Sequence, residues 1–230
     1  DVEILQESIM NMKKDDIIKL FPIETDRLIL RLATMDDVDL IQSAKESRDP
    51  DILKRWMSWS SEEGLSEQGT IDYLTAANSP ENTRCLAILG IDKLSNQHVL
   101  SSGFDAEDDD FNVISTGWWL SEGHEGKGLA YEGMKAVIDL CCQNKICQKI
   151  VSDHYKGNQR SQNLMARLGF QYVETKPKAH RSHLTGDYND VLHYEILVNS
   201  ESISIKRWHE DDWAAFKALR IEAIRAHPSV

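Results

Sequence analysis

The residues best suited to chemistry stand in one stretch, Trp118-Trp119-Leu120-Ser121-Glu122-Gly123-His124-Glu125-Gly126-Lys127-Gly128-Leu129-Ala130. Glycines 123, 126 and 128 fall in one short turn. Glycine admits left-handed backbone and lets a ligand come close to the chain. Where a helix opens after such a turn, its first N–H groups and its dipole form a site for an anion such as a pyrophosphate. The spacing alone names no ligand. A nucleoside triphosphate loop fits poorly, because Gly126-Lys127-Gly128 lacks the Walker spacing and the trailing Ser or Thr. Metal chemistry is not expected. Cys141 and Cys142 are adjacent, and Cys147 and Cys85 stand off any zinc spacing. The acidic run from Asp105 to Asp110 lacks the glycine of a calcium loop. Reduced thiols, two of them facing the core, suit a cytoplasmic protein.

The elements that must position the turn can be read on either side of it. Residues 113–120 are rich in β-branched and aromatic side chains, the mark of a strand. From Leu129 to about Asn144, Leu129, Met134, Val137, Ile138, Cys141 and Cys142 recur near helical spacing. Upstream, residues 2–21 form an amphipathic helical extension that Pro22 ends. Residues 27–32 alternate as a strand. Thr34 caps a helix to about Ala44, and residues 48–78 are helical in pieces. Strands follow at 84–91 and 98–104. Downstream come a strand at 149–154 and a helix at 158–168 that Gly169 ends. Two last strands, near 171–174 and 191–198, flank a polar, basic loop from Pro177 to Asn189. This order predicts an α/β fold, a mixed sheet covered by helices.

The formal net charge is -12. A polyanion would be repelled, so no nucleic-acid partner is expected, and a cationic amine suits the charge. No apolar run of about 18 residues predicts a membrane span. The start lacks the apolar core of a signal peptide, which again points to the cytoplasm. The chain opens on Asp1 rather than Met, which predicts processing or preceding residues.

Three stretches resemble the GCN5-related N-acetyltransferases (GNAT), in particular their RimJ/RimL-like branch. Thr25-Asp26-Arg27-Leu28-Ile29-Leu30-Arg31 is similar to the opening strand. Gly117-Trp118-Trp119-Leu120 with Gly126-Lys127-Gly128-Leu129-Ala130 resembles the acetyl-CoA motif. Asn158-Gln159-Arg160-Ser161 with Leu168-Gly169-Phe170 resembles the motif that follows it. The resemblance spans residues 23–198. It implies a mostly antiparallel sheet of about six to seven strands, splayed between the fourth and fifth, with acetyl-CoA as co-substrate. The acceptor would be the amine of a protein N-terminus, an aminoglycoside-like compound or a polyamine. A homodimer is compatible with it.

The resemblance also implies roles. Backbone amides of Gly126, Lys127, Gly128, Leu129 and Ala130 would cradle the pyrophosphate. Trp119 and Leu120 would hold the pantetheine arm through their backbones, with an N–H near Leu120 stabilising the oxyanion. Glu125 stands where relatives carry Gln or Arg, and its side chain should turn outward. Asn158 would contact the cofactor arm while capping its helix. Met165 stands where a tyrosine acid often lies, and Ser161, one turn earlier, is the alternative. His180 takes the place of a glutamate base, with His154 and Glu174 as rivals. Trp56, Trp59 and the 177–189 loop would shape the acceptor site. The His180 substitution keeps open a second reading, a non-catalytic acetyl-CoA-binding or interaction domain of a tandem protein. Residues 199–230, with Ile203-Ser204-Ile205 and Asp211 to Ala226, are similar to the first strand and helix of a second such domain, which implies either a tandem protein cut short here or a strand and helix with another role, such as packing on the first domain or on a neighbouring subunit.

Overall fold

The computed structural model describes residues 12–107, 109 and 111–198. Most of the expected N-terminal extension and all of the expected second domain lie outside the described residues. A short helix α1 (Lys14–Ile18) precedes strands β1 (Ile23–Glu24) and β2 (Leu28–Leu32). Thr34 then opens the predicted helix. Its N–H donates to Asp37 Oδ2 at 2.8 Å, and a 3-10 turn leads into α2 (Val38–Glu46). Helices α3 (Pro50–Trp56), α4 (Glu62–Leu65) and α5 (Glu67–Asn78) are the expected pieces. The Asp49, Ser61 and Ser66 side chains accept N–H groups at their starts.

The sheet contains β3 (Cys85–Asp92), β4 (His98–Ala106), β5 (Val113–Ser115), β6 (Trp118–Leu120), β7 (Lys149–Tyr155), β8 (Gln171–Arg181) and β9 (Tyr188–Leu197). Its order is β1-β2-β3-β4-β5-β7-β9-β8, with β6 also on β4. Only β5 and β7 are parallel. Nine segments appear where six to seven strands are expected, because β1 is very short and one predicted strand is interrupted.

Both faces are covered. In β3, Leu86 and Ile88 join the larger core, while Ala87, Leu89 and Ile91 join the smaller one. That is the period-two alternation of a strand buried on both sides. Helix α6 (Leu129–Gln143) supplies Met134, Val137 and Cys141 to the larger core. It lies so close to the sheet that a Cβ at Gly133 would meet Leu100 Cδ2 at 2.6 Å. Ile41 of α2 and Leu74 of α5 fill the smaller core. Helix α7 (Gln159–Leu168) ends at Gly169, which is left-handed at φ 93°.

The loop expected from Pro177 to Asn189 is largely strand. β8 runs on to Arg181 and β9 begins at Tyr188, so the loop shrinks to a tight turn. A register shift between Lys176 and His180, with Lys178 at φ 50°, accommodates the proline in this outer strand.

Candidate active site

The predicted strand 113–120 breaks at Thr116-Gly117 without slipping. Against β4, Ala106↔Ile114 and Asp105↔Ser115 continue in the same register as Ser102↔Trp118, Ser101↔Trp119 and Leu100↔Leu120. It is one bent strand with two fates on its other edge. β5 pairs with β7 through Ser115↔Val151. Thr116 N–H then donates to the Val151 carbonyl (3.0 Å), and Ser152 Oγ donates to the Thr116 carbonyl (2.7 Å). Beyond that point β6 stays with β4 while β7 stays with β9, and the sheet opens as a V.

The open edge belongs to Leu120. Ser121 N–H donates to the Val99 carbonyl across to β4 (3.0 Å). Backbone groups alternate sides along a strand, so the Leu120 N–H and C=O face the gap. Arg48 Nη1 donates to that carbonyl at 2.5 Å. The other arm of the same buried guanidinium ion-pairs with Glu125. The Glu125 side chain is therefore drawn onto Arg48, where it was expected to turn outward. Burial pushes this carboxyl up, but a backbone hydrogen bond and Arg48 outweigh burial and hold it below the usual range.

Gly126 and Gly128 have φ of 73° and 79°, values that side chains disfavour. The backbone ladder of α6 starts with Glu132 N–H donating to the Gly128 carbonyl (3.0 Å). The amides of Leu129, Ala130 and Tyr131 precede that ladder and stand available to an anion. Glu132 ties the loop to the first strand. It accepts from Thr25 Oγ1 (2.6 Å), Arg27 N (2.7 Å) and Arg27 Nε (2.6 Å), while Arg27 Nη1 donates to the Lys127 carbonyl (2.9 Å). These bonds give the Thr-Asp-Arg-Leu stretch a physical reason. Glu132→Ala is expected to lower stability by about 1–2 kcal/mol, since water can reach part of the cluster. Urea denaturation checks this, and an unchanged midpoint refutes it.

A cavity of about 540 Å³ lies at the mouth of the V. It brings together Trp119, Asn158, Ser161 and His180, with Trp56 and Trp59. Leu120 and residues 125–130 do not line it. Asn158 caps α7, its Oδ1 accepting Ser161 N–H at 3.2 Å, and the cap leaves the amide donors unused. Met165 is 1% exposed and belongs to the core. His180 is on β8 opposite Asn189, not in a loop, and its ring is 5.9 Å from that of Tyr155. His154 lines the cavity and Glu174 does not.

Lys45 and Arg48 carried no signal in the sequence. Lys45 Nζ donates to Gly64 O (2.9 Å) and Thr70 Oγ1 (2.7 Å) and lies 5.3 Å from the Trp59 ring centre. Burial pushes its ammonium down to about 8. His98 was read only as a strand residue. It is buried on β4, with Nδ1 2.5 Å from Ser121 Oγ, Nε2 2.8 Å from Ser101 Oγ, and its ring 5.2 Å from that of Trp119. Among the described residues no group of His, Cys, Asp and Glu could hold a metal ion, and no helix is long and apolar enough to cross a membrane.

Comparison with known proteins agrees with this architecture. Residues 27–171 match the family model of the acetyltransferase (GNAT) domain. The [ribosomal protein uS5]-alanine N-acetyltransferase of Escherichia coli is 27% identical over 163 residues, covering 64% of this chain and 76% of the relative. The fold is shared with RimL, the ribosomal L7/L12 alpha-N-protein acetyltransferase, solved with coenzyme A. That match has a TM-score of 0.70 and 19% identity over 78% of this chain and 99% of the other. It is shared also with the microcin C7 self-immunity acetyltransferase MccE, solved with acetyl-CoA and AMP, at a TM-score of 0.65 and 16% identity over 75% and 93%. A bent strand that opens the sheet, a glycine turn at a helix start and a family match over 27–171 lead to one conclusion: the chain belongs to the GNAT acetyltransferase family.

Proposed function

We propose that this domain transfers an acetyl group from acetyl-CoA to a primary amine by direct attack. The observation that carries the reading is the V in the sheet, whose open Leu120 edge runs straight into the glycine turn and the start of α6. The parts fit the ligand. An extended amide-bearing arm can pair with a free strand edge, and a pyrophosphate can sit on the unpaired amides of 126–130. Leu120 meets the arm through its backbone, while the Trp119 backbone is turned to Ser101 of β4 and its indole lines the cavity, and Lys127 adds a flexible positive charge beside the pyrophosphate. Glu125 serves the same loop indirectly, as the anchor that Arg48 grips. Asn158 reaches the arm with its amide, and the Leu120 N–H stabilises the oxyanion. Ser161 Oγ–H donates a hydrogen bond to the sulfur. His180 lies on the acceptor side of the cavity, where Trp56 and Trp59 receive the amine.

A protein N-terminus is the acceptor class we favour, because the ribosomal-protein acetyltransferases are the relatives found by sequence. Calorimetric titration is expected to show binding of acetyl-CoA and none of ATP. A thiol-release assay with an alanine-starting peptide, an aminoglycoside and spermidine then tests transfer. Turnover should be greatest with the peptide. Binding with no turnover of any amine would leave only the non-catalytic acetyl-CoA-binding reading.

A further inference from the structure

Ser152 Oγ, bonded to the Thr116 carbonyl at 2.7 Å, marks the apex of the V. His154 is two residues farther along β7, on the same face of the strand and roughly 7 Å into the open gap. It is 5% exposed and lines the same cavity as Ser161. Its Nδ1 is 2.9 Å from the Tyr155 carbonyl oxygen. A carbonyl oxygen only accepts, so Nδ1 carries the hydrogen. In the neutral ring Nε2 is then the lone-pair nitrogen. That atom is buried and has no hydrogen-bond partner. The Tyr194 ring stacks on the imidazole at 5.2 Å with planes 26° apart, which holds its orientation. Buried polar atoms are almost always paired. His154 lines the cavity, so a molecule bound there can supply the donor that Nε2 lacks. His180 lacks this arrangement, since it is exposed on an outer strand.

We propose that His154, a residue of the strand and not of the β8–β9 hairpin, is the proton acceptor of the site. The proposal rests on the acetyl-transfer reading above. As the amine nitrogen attacks the acetyl carbon, an N–C bond forms. The C–S bond breaks, and its electron pair goes to sulfur. The surplus proton on nitrogen passes to Nε2, and Nε2 returns it to the sulfur. The products are an amide and a free thiol, His154 is neutral again, and no further reactant is needed. One histidine on the wall of the gap serves both proton transfers.

Two measurements on the full chain test this. Two-bond 15N–1H spectra of histidine-labelled wild-type protein should show His154 neutral with hydrogen on Nδ1 and none on Nε2. A neutral ring with hydrogen on Nε2 overturns the proposal, whatever the enzyme's activity. In steady-state reactions with acetyl-CoA and an alanine-starting peptide, His154→Gln should lower kcat about 10²–10⁴-fold. KM for acetyl-CoA should stay within about twofold, as expected for a group acting only during transfer. Free imidazole should restore part of the loss in His154→Gly. A His154→Gln enzyme with wild-type kcat overturns the proposal, as does a loss confined to His180→Ala. No turnover by the wild-type chain overturns the transferase reading along with it, whereas the wrong tautomer overturns the His154 role alone.

Discussion

Arg48→Met is expected to lower acetyl-CoA affinity about tenfold and to destabilise the domain by about 3 kcal/mol. The guanidinium is 7% exposed and bridges two points of the site, the carbonyl of Leu120 and the carboxylate of Glu125. Without it the carboxylate is left near the loop proposed to receive the pyrophosphate, without its main counter-charge, and the carbonyl at the strand end loses its donor. Both changes act on the half of the site proposed to bind the cofactor, so the effect should appear in Kd before kcat. Lysine should not rescue, because a single ammonium cannot present two donors in a fixed fork. Arg48→Met combined with Glu125→Gln should lose less stability than the sum of the two changes, since the charge left behind is gone. Urea denaturation and calorimetric titration measure these effects. Additive losses would show that the two residues do not act on each other.

The second large effect is on acid stability. His98 is 4% exposed. Ser121 Oγ donates to the His98 carbonyl (2.9 Å) and so accepts from Nδ1, and Ser101 Oγ donates to Nε2. The neutral ring is fully paired. Burial pushes its pKa down to about 4, with His124 adding to the shift. In the unfolded chain the same ring titrates near 6.5. Between those values the unfolded chain takes up a proton that the folded one refuses, so stability falls as pH drops from about 6.5 toward 4. The contribution is fully present above that window. Its loss should reach about 3 kcal/mol at the acid end. Carboxylates held low, such as Glu125 and Glu132, weaken the fold only in more acid solution, so the upper part of the window reports His98. Urea midpoints measured from neutral to mildly acid pH should show the slope, and His98→Asn should flatten it. A slope that survives the substitution refutes the assignment.

How much of this was legible in the sequence depends on the range of the interaction. The strand and helix around the glycine turn are local, set by β-branched residues on one side and helical spacing on the other, and both stand where expected. The break at Thr116-Gly117 is not local. Nothing in residues 113–120 tells that β7 will leave at Ser115, because its course depends on β9, with which it pairs along its whole length. Arg48 was invisible for a similar reason. Its partners are 72 and 77 residues away, and a lone arginine before Asp49-Pro50 has no periodicity to betray it. The hairpin was misread because Pro177 and a run of polar residues have the composition of a loop. An outer strand has no need of a buried face, and every residue of β8 is exposed. Its pairing with β9 comes from backbone hydrogen bonds that composition does not record.

That outer strand bears on how molecules of this protein meet one another. An edge eleven residues long would ordinarily be a template on which a second chain could add its own strand, and a third after it. Here Pro177 removes one donor, and the Lys178 N–H is turned inward to Asp190 Oδ1 (3.1 Å). The backbone shifts register between Lys176 and His180, and Lys176, Lys178 and Arg181 crowd the edge with like charge. The opposite end of the sheet is β1, only two residues long. Among the described strands neither end offers the straight, unpaired ladder that open-ended fibre growth requires, so the sheet that opens in its middle is guarded at both of these margins against strand addition.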